Sequence, residues 1–133
     1  MKSNSKIVQA CQAAFKSYLD KYEAVEVINL STTDGFPIYN QSNHSVSFDA
    51  ETLAAASSTL YSVSSAVSKQ ILSKNLKITF IEADLGCIGF ILLQLESNDF
   101  VLSMSANETM NIGQLRVFIH RLSEEIKVLH KLM

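Results

Sequence analysis

The stretch from Cys87 to Leu95 is apolar on both of the faces that a β-strand presents. One set of alternating residues is Cys87, Gly89, Ile91, Leu93 and Leu95, and the other is Ile88, Phe90 and Leu92. Since successive side chains of a strand point to opposite sides of a sheet, such a strand is stable only where both sides are covered. The sequence therefore predicts an inner strand of a sheet that has helices on both faces.

Two further strands flank this segment and complete a three-stranded meander. Residues 84–86 and 97–99 separate the three strands and contain Asp, Gly, Ser and Asn, which favour turns. The strand before the central one, Leu76 to Ile81, includes Lys77 among its apolar residues. Because a lysine commonly protects an exposed edge from unwanted pairing, we expect this strand at an edge of the sheet.

The N-terminal part of the chain has the pattern of a helix followed by a hairpin. Apolar residues recur every three or four positions between residues 5 and 22, the period of a helix that is buried along one stripe. Residues 24–32 are rich in β-branched side chains, and Asp34-Gly35 readily adopts the positive φ angles of a tight turn. The strand Phe36 to Asn40 should lie at an edge or begin there, because Pro37 has no N–H for the ladder.

A long helix is predicted from Asp49, a good N-cap, to about Ser73. Its apolar stripe consists of Leu53, Ala56, Leu60, Val63, Val67 and Ile71. Serines crowd the same segment, and since serine is a mediocre helix former, packing must hold this helix in place. Small side chains let another backbone approach closely, so we expect a tight contact between two helices, the alternative being a solvated hydroxyl face. The small-residue face consists of Ala55, Ser58, Ser62 and Ser65.

A final helix begins at Asn111, which forms a capping-box pattern with Gln114. The apolar positions that follow have strict three-four spacing, which could also indicate a coiled coil. Phe118 and Val128 widen the stripe, and a wide stripe favours a helix that lies on a sheet.

Composition narrows the classes of function. A chain of 133 residues with 47% hydrophobic content has the size of one domain with a real core, so we expect one domain over residues 1–133. Its 11 basic and 13 acidic residues do not produce the strong positive field that binding of nucleic acids usually needs. Proteins or small molecules are therefore the expected partners. Cys11 and Cys87 lie apart in apolar stretches, as thiols of a reducing compartment do, and we expect a cytoplasmic protein. Neither a membrane span nor a signal peptide is predicted.

Residues that commonly carry chemistry are scattered along the chain. The glycines form neither a phosphate-binding loop nor a dinucleotide fingerprint. His44, His120 and His130 have no paired-ligand spacing, and Cys87 lies in an apolar strand where a thiol is normally inert. We therefore expect no metal, no cofactor and no enzymatic activity.

The order helix, strand, strand, long helix, three strands, helix resembles the roadblock family of dynein light chains and bacterial GTPase regulators. The resemblance covers nearly the whole chain. Its most recognisable parts are Asp34-Gly35-Phe36-Pro37-Ile38, the small-residue-rich helix from Leu53 to Val67, and the helix start from Asn111 to Arg116. The resemblance implies an α/β (α+β) fold. In that fold a five-stranded antiparallel sheet lies between a long central helix on one face and the N- and C-terminal helices on the other.

The same resemblance implies a dimer, in which the third strands of two copies meet across a two-fold axis while the long helices pack side by side. Pairing of this kind satisfies the free N–H and C=O groups of both edges. We expect the strand ladder to be formed by Leu76, Lys77, Ile78, Thr79 and Phe80, and the helix pair to meet at Ala55, Ser58, Ser62 and Ser65.

The function that the resemblance implies is a non-catalytic adaptor or regulator. Its partner would be a small Ras-like GTPase or a motor or signalling complex, and the dimer would be a homodimer or a heterodimer with a related chain. Arg116 and Arg121 are the only arginines and could in principle enter a partner's active site, although a structural role is favoured. The alternative is a small-molecule-sensing domain with a pocket along Cys87 to Leu95, where few polar residues converge and a filled core is the simpler interpretation.

Overall fold

The computed structural model describes residues 2–43 and 46–133, and side chains from Ser5 onward outside that gap. His44 therefore lies outside the described residues. The elements in chain order are α1 (Lys2–Lys21), β1 (Val25–Thr32), β2 (Pro37–Ser42), α2 (Ala50–Val67), β3 (Thr79–Ala83), β4 (Gly86–Leu95), β5 (Asn98–Asn107) and α3 (Ile112–Leu132). A π-helical turn, Ser68–Leu72, continues α2 and ends where Ser73 adopts a left-handed conformation.

The strands form one five-stranded sheet in the order β2-β1-β5-β4-β3, and every neighbouring pair is antiparallel. The two edge strands are therefore β2 and β3, as Pro37 and Lys77 predicted. Gly35 turns the first hairpin with a φ of 98°, a value that L-residues with side chains rarely adopt.

Both caps predicted from the sequence are present. The Asp49 side chain accepts hydrogen bonds from the backbone N–H groups of Glu51 and Thr52 at the start of α2. Asn111 and Gln114 form a reciprocal capping box at the start of α3. Each cap satisfies N–H groups that have no partner within the helix, so these residues determine where α2 and α3 begin.

Two helices cover one face of the sheet and the third covers the other. α1 and α3 pack against each other and against the strands, while α2 contacts the opposite side of the sheet. Large side chains fill the layer beneath α1 and α3, among them Phe15, Ile28, Leu102, Leu115 and Ile119, all fully buried. Burial of one such side chain contributes about 1.5–3 kcal/mol, so this layer is the main hydrophobic core. The fold class predicted from the sequence is confirmed.

The layer between α2 and the sheet is unusually polar. Asn29 and Ser31 alternate with core residues along β1 and thus face α2, from which Ser57 points inward, and all three are fully buried. Both amide atoms of Asn29 and the hydroxyls of Ser31 and Ser57 have no hydrogen-bond partner among the described residues. Unsatisfied buried polar groups cost about 1–3 kcal/mol each, so α2 is held less firmly than α1 and α3.

The position of β3 differs from the prediction made for Leu76 to Ile81. The strand pairs with β4 from Thr79 opposite Phe90 to Ala83 opposite Gly86, so residues 76–78 precede it. A two-residue turn that includes Leu85 at a φ of 65° closes this hairpin and fixes its register. Leu76 and Ile78 continue the apolar alternation without belonging to the paired segment, and alternation alone does not show where pairing begins, which is why the predicted strand was placed too early.

Candidate protein-interaction surface

The C-terminal part of the apolar stripe of α2, together with the π-helical turn that follows, is exposed. Val63, Val67 and Ile71 are 57%, 48% and 74% exposed, and Leu72 beside them is 61% exposed. Positions four apart lie on the same side of a helix, so these side chains form one continuous surface, which we call the α2 patch. A helix that lies on a sheet normally turns large apolar side chains inward, whereas the buried residues of α2 are Ala54, Ser57 and Ser58. Contiguous exposed apolar side chains of this kind mark interaction sites.

The open edge of the sheet lies next to the α2 patch. β3 is the last strand on this side, and within the described residues its outer edge pairs with no other strand. Phe80 packs on the α3 side of the sheet, so by alternation Ile81 points to the α2 side, where it is 41% exposed. An apolar helix face and an unpaired strand edge therefore adjoin on one side of the molecule.

The four residues predicted for a helix pair lie in different environments. Ala55 and Ser62 are exposed, and Ser65 is half-buried. Ser58 is buried within the protomer, where its Oγ donates a hydrogen bond to the carbonyl oxygen of Ala55 at 3.0 Å. A Cβ atom on Gly35 would lie 3.2 Å from this Oγ, so Ser58 packs against the first hairpin turn. The spacing of Val63, Val67 and Ile71 predicted a helix stripe but not its exposure, and the helix pair at the four small residues stays a prediction.

The five residues predicted for a strand ladder are divided by the start of β3. Thr79 and Phe80 lie in the strand, and Leu76, Lys77 and Ile78 form the segment that leads into it. Ile78 and Phe80 pack against the core on the α3 side, and Lys77 is exposed. Pairing of Leu76, Lys77 and Ile78 with a second chain across a dimer thus stays a prediction.

The two arginines lie on the other side of the sheet. Arg116 is on α3, and its guanidinium carbon lies 5.1 Å from the ring centroid of Phe80. Arg121 is exposed one turn further along the helix. Since α3 and α2 cover opposite faces of the sheet, neither arginine belongs to the α2 patch.

The thiols are placed for packing rather than for reaction. Both cysteines are free and buried. Burial raises the pKa of the Cys11 thiol to about 12. The pKa of the Cys87 thiol is raised mainly by burial and, to a smaller extent, by the charge of Glu82. A nucleophilic cysteine needs a lowered pKa, so these groups are protonated near neutral pH.

Three further observations concern a ligand pocket along β4, a metal site and a membrane-spanning helix. The inward side chains of β4 pack in the main core, as the filled-core interpretation of Cys87 to Leu95 expected. Within residues 2–43 and 46–133, no group of three or more His, Cys, Asp or Glu side chains could hold a metal ion. Among the described helices, none combines the length and hydropathy needed to cross a membrane.

Comparison with known proteins places the fold. No protein-family model matches the chain, and no curated protein matches its sequence. The gliding protein MglB from Thermus thermophilus superposes with a TM-score of 0.78 at 14% identity, over 96% of this chain and 93% of that one. A structure of MglB in a tetrameric arrangement superposes with a TM-score of 0.78 at 13% identity, over 94% of this chain and 90% of that one.

A further similar structure is a roadblock/LC7 domain from Streptomyces avermitilis. It superposes with a TM-score of 0.63 at 17% identity, over 87% of this chain and 88% of that one. At these identities the likeness concerns the fold, and it extends over nearly the whole chain. The chain therefore has the roadblock fold, as the resemblance in its sequence predicted.

Proposed function

We propose that this chain forms a dimer through α2 and β3, with a second copy or with a related chain, and that the dimer is a non-catalytic adaptor or regulator of a small Ras-like GTPase. The observation that carries the proposal is the α2 patch, an apolar helix face turned outward beside an open strand edge. A two-fold axis beside this edge would let both surfaces meet their own copies at once.

The energies involved indicate why both surfaces are needed. Full burial of a Val, Leu or Ile side chain contributes about 1.5–3 kcal/mol, and the side chains of the α2 patch are already about half covered. Each of the two copies buries its patch in the dimer, so this burial contributes roughly 6–12 kcal/mol in total to association. Association itself costs about 4–15 kcal/mol in lost freedom of movement. The patch alone would hold a marginal dimer, and the ladder between two β3 strands supplies the additional stability and the register.

The fold supports the choice of partner. The sequence resembles a family that includes bacterial GTPase regulators, and the fold matches MglB, for which a tetrameric arrangement is known. A regulator of this type acts by arranging the switch segments of the GTPase, because phosphoryl transfer depends mainly on positioning and electrostatics. Such a role requires no catalytic group from the regulator, in agreement with the protonated thiols of Cys11 and Cys87. We expect it to be carried out in the cytoplasm by one domain over residues 1–133.

The test uses Ras-like GTPases of the source organism, each loaded with GDP or with a non-hydrolysable GTP analogue. Isothermal calorimetry should show one GTPase that binds the dimer with a clear preference for one nucleotide state. Hydrolysis is then measured with the wild type and with the Arg116→Ala/Arg121→Ala variant, which should stimulate equally if the GTPase supplies its own catalytic groups. A complete absence of binding across the set would overturn the choice of partner, and loss of stimulation with retained binding would identify an arginine supplied by this chain.

A further inference from the structure

A groove runs between α3 and the segment that leads into β3, on the side of the sheet opposite the α2 patch. Its volume is about 600 Å³. The apolar part of its lining consists of Ile78, Ile91, Leu92, Val117 and Ile119. The polar part is mostly basic and consists of Lys77, Arg116, His120, Arg121 and Lys127, together with Ser123 and one acid, Glu124.

Positive charge is concentrated in this groove although the whole chain is slightly negative. The formal net charge is -2, yet 4 of the 11 lysines and arginines line this one cavity, including both arginines. A second cavity of about 580 Å³ shares Glu124 and Lys127 with the first and adds Lys6, Lys131 and a second acid, Glu96. Lysines therefore outnumber acids in this cavity as well, by three to two.

Contacts within the protomer account for only part of the basic set. Lys127 lies 3.4 Å from Glu124, and Arg116 lies over the Phe80 ring. Lys77 and Arg121 are within ion-pair distance of no carboxylate in the described part of the chain. Like charges held close together repel one another, so an anionic partner would lower the energy of this arrangement.

We propose that this groove binds an acidic, aliphatic segment of a partner protein in an extended conformation. The planar guanidinium of arginine binds a carboxylate through two parallel hydrogen bonds, and the apolar floor accommodates aliphatic side chains that alternate with the acids. The site goes beyond the proposed function, which places the dimer contact on α2 and β3 and assigns no binding surface to α3.

Two other classes of anionic partner fit the groove less well. A lipid bilayer presents a broad, flat surface, whereas the apolar residues here lie in a concave floor between α3 and β4. A single-stranded nucleic acid needs rings on which its bases stack, and no Phe, Tyr or Trp lines the cavity. An extended peptide satisfies the shape and both kinds of lining.

The test begins with selection of a displayed library of random peptides on the purified full chain. Enriched peptides should alternate Asp or Glu with Val, Leu or Ile. Their affinities are then measured by fluorescence anisotropy with the wild type and with Arg121→Glu/Lys127→Glu, whose two side chains lie away from β3. The reversal should weaken binding by about tenfold or more, because it replaces attraction by repulsion at two positions.

A matched control has the same change in charge on α1. Lys16 and Lys21 are exposed there and belong to neither cavity, so Lys16→Glu/Lys21→Glu should bind the peptides as the wild type does. Circular dichroism and light scattering verify that both variants keep their fold and mass. The proposal is overturned if no acidic peptides are enriched, if the two variants bind them equally, or if phosphatidylserine vesicles sediment with the chain while the peptides do not bind.

Discussion

The guanidinium of Arg116 on α3 lies over the ring of Phe80 on the edge strand β3, with 5.1 Å between the guanidinium carbon and the ring centroid. The same ring packs close to Gly89, its cross-strand neighbour on β4, where an added Cβ would lie only 3.2 Å from the ring. Glycine at this position leaves room for the aromatic ring. The contact of Phe80 with Arg116 thus attaches the open edge of the sheet to α3.

A double-mutant cycle should detect this attachment. Arg116→Ala and Phe80→Leu each remove the cation–π contact, and the coupling between them is expected to be about 0.5–1 kcal/mol because the contact is partly exposed. The free energy of unfolding in urea is measured for the wild type, the two single variants and the double variant. Strictly additive effects would show that the contact contributes nothing to stability.

The turn between β4 and β5 offers a stabilising substitution. Its two residues, Glu96 and Ser97, have φ angles of 52° and 65°, the left-handed values of a tight hairpin turn. Because such values are strained for residues with a Cβ, Ser97→Gly should raise the free energy of unfolding by about 0.5–1 kcal/mol. Ser17→Gly, at an exposed position within α1, should lower it by a similar amount. Thermal unfolding that shifts both variants in the same direction would refute the role assigned to the turn.

The polar layer beneath α2 predicts a second gain in stability. Asn29 is fully buried and neither of its amide atoms has a hydrogen-bond partner in the described part of the chain. Asn29→Leu removes this unsatisfied group and should raise the free energy of unfolding by about 1–2 kcal/mol. Asn75→Leu changes an exposed residue and should stay within about 0.5 kcal/mol of the wild type. Urea titrations compare the two, and a destabilised Asn29→Leu would mean that the amide is satisfied in solution.

The raised pKa of Cys11 predicts how stability depends on pH. The folded chain holds the thiol proton up to a pKa of about 12, whereas the unfolded chain releases it near the ordinary value of 9.0. The unfolded state thus binds fewer protons than the folded state above pH 9. The stability that this group contributes is therefore complete below pH 9 and decreases as the pH rises toward the pKa of the folded state. Cys11→Ala should lose less stability between about pH 8 and pH 10 than the wild type under reducing conditions. Parallel curves for the two proteins would contradict the burial of this thiol. The raised pKa values of Tyr18 and Tyr61 do not depend on Cys11 and cancel between the two proteins. The pKa of Tyr39 is raised by burial and, to a smaller extent, by Cys11, so its loss of the second contribution in the variant acts in the same direction.

Much of this fold follows from local patterns in the sequence. The caps at Asp49 and Asn111 are short-range hydrogen-bond signals, and the structure has both. The absence of an N–H on Pro37 places β2 at an edge, as observed. The apolar alternation of residues 87–95 required cover on both faces, and the helices supply it. Each of these features depends on neighbours in the chain or on one strand at a time.

Features that depend on the packing of distant segments were not predictable in this way. The period of Val63, Val67 and Ile71 predicts a helix but not whether the stripe meets the sheet or another molecule. The start of β3 at Thr79 depends on where pairing with β4 ends, which the apolar alternation of residues 76–81 does not show. The basic groove combines α3 with residues 77–78 and 91–92, which lie far apart in the sequence. The helix pair and the strand ladder predicted from the sequence therefore stay predictions, while the exposure of the α2 patch is visible only in the structure.

The dimer through α2 is tested most directly by one matched pair of variants. Val63 on the α2 patch and Val128 on α3 are both 57% exposed, so glutamate at either position adds the same charge to an equally accessible helix surface. Only at Val63 would that charge be buried in a dimer, where an unpaired charge is strongly unfavourable. Multi-angle light scattering of the purified proteins over a range of concentrations is the decisive measurement. We expect twice the mass of one chain for the wild type and for Val128→Glu, and the mass of one chain for Val63→Glu. Equal masses for the two variants would contradict a homodimer through the α2 patch. A wild type that stays monomeric at every concentration, measured without a related chain, would contradict it as well.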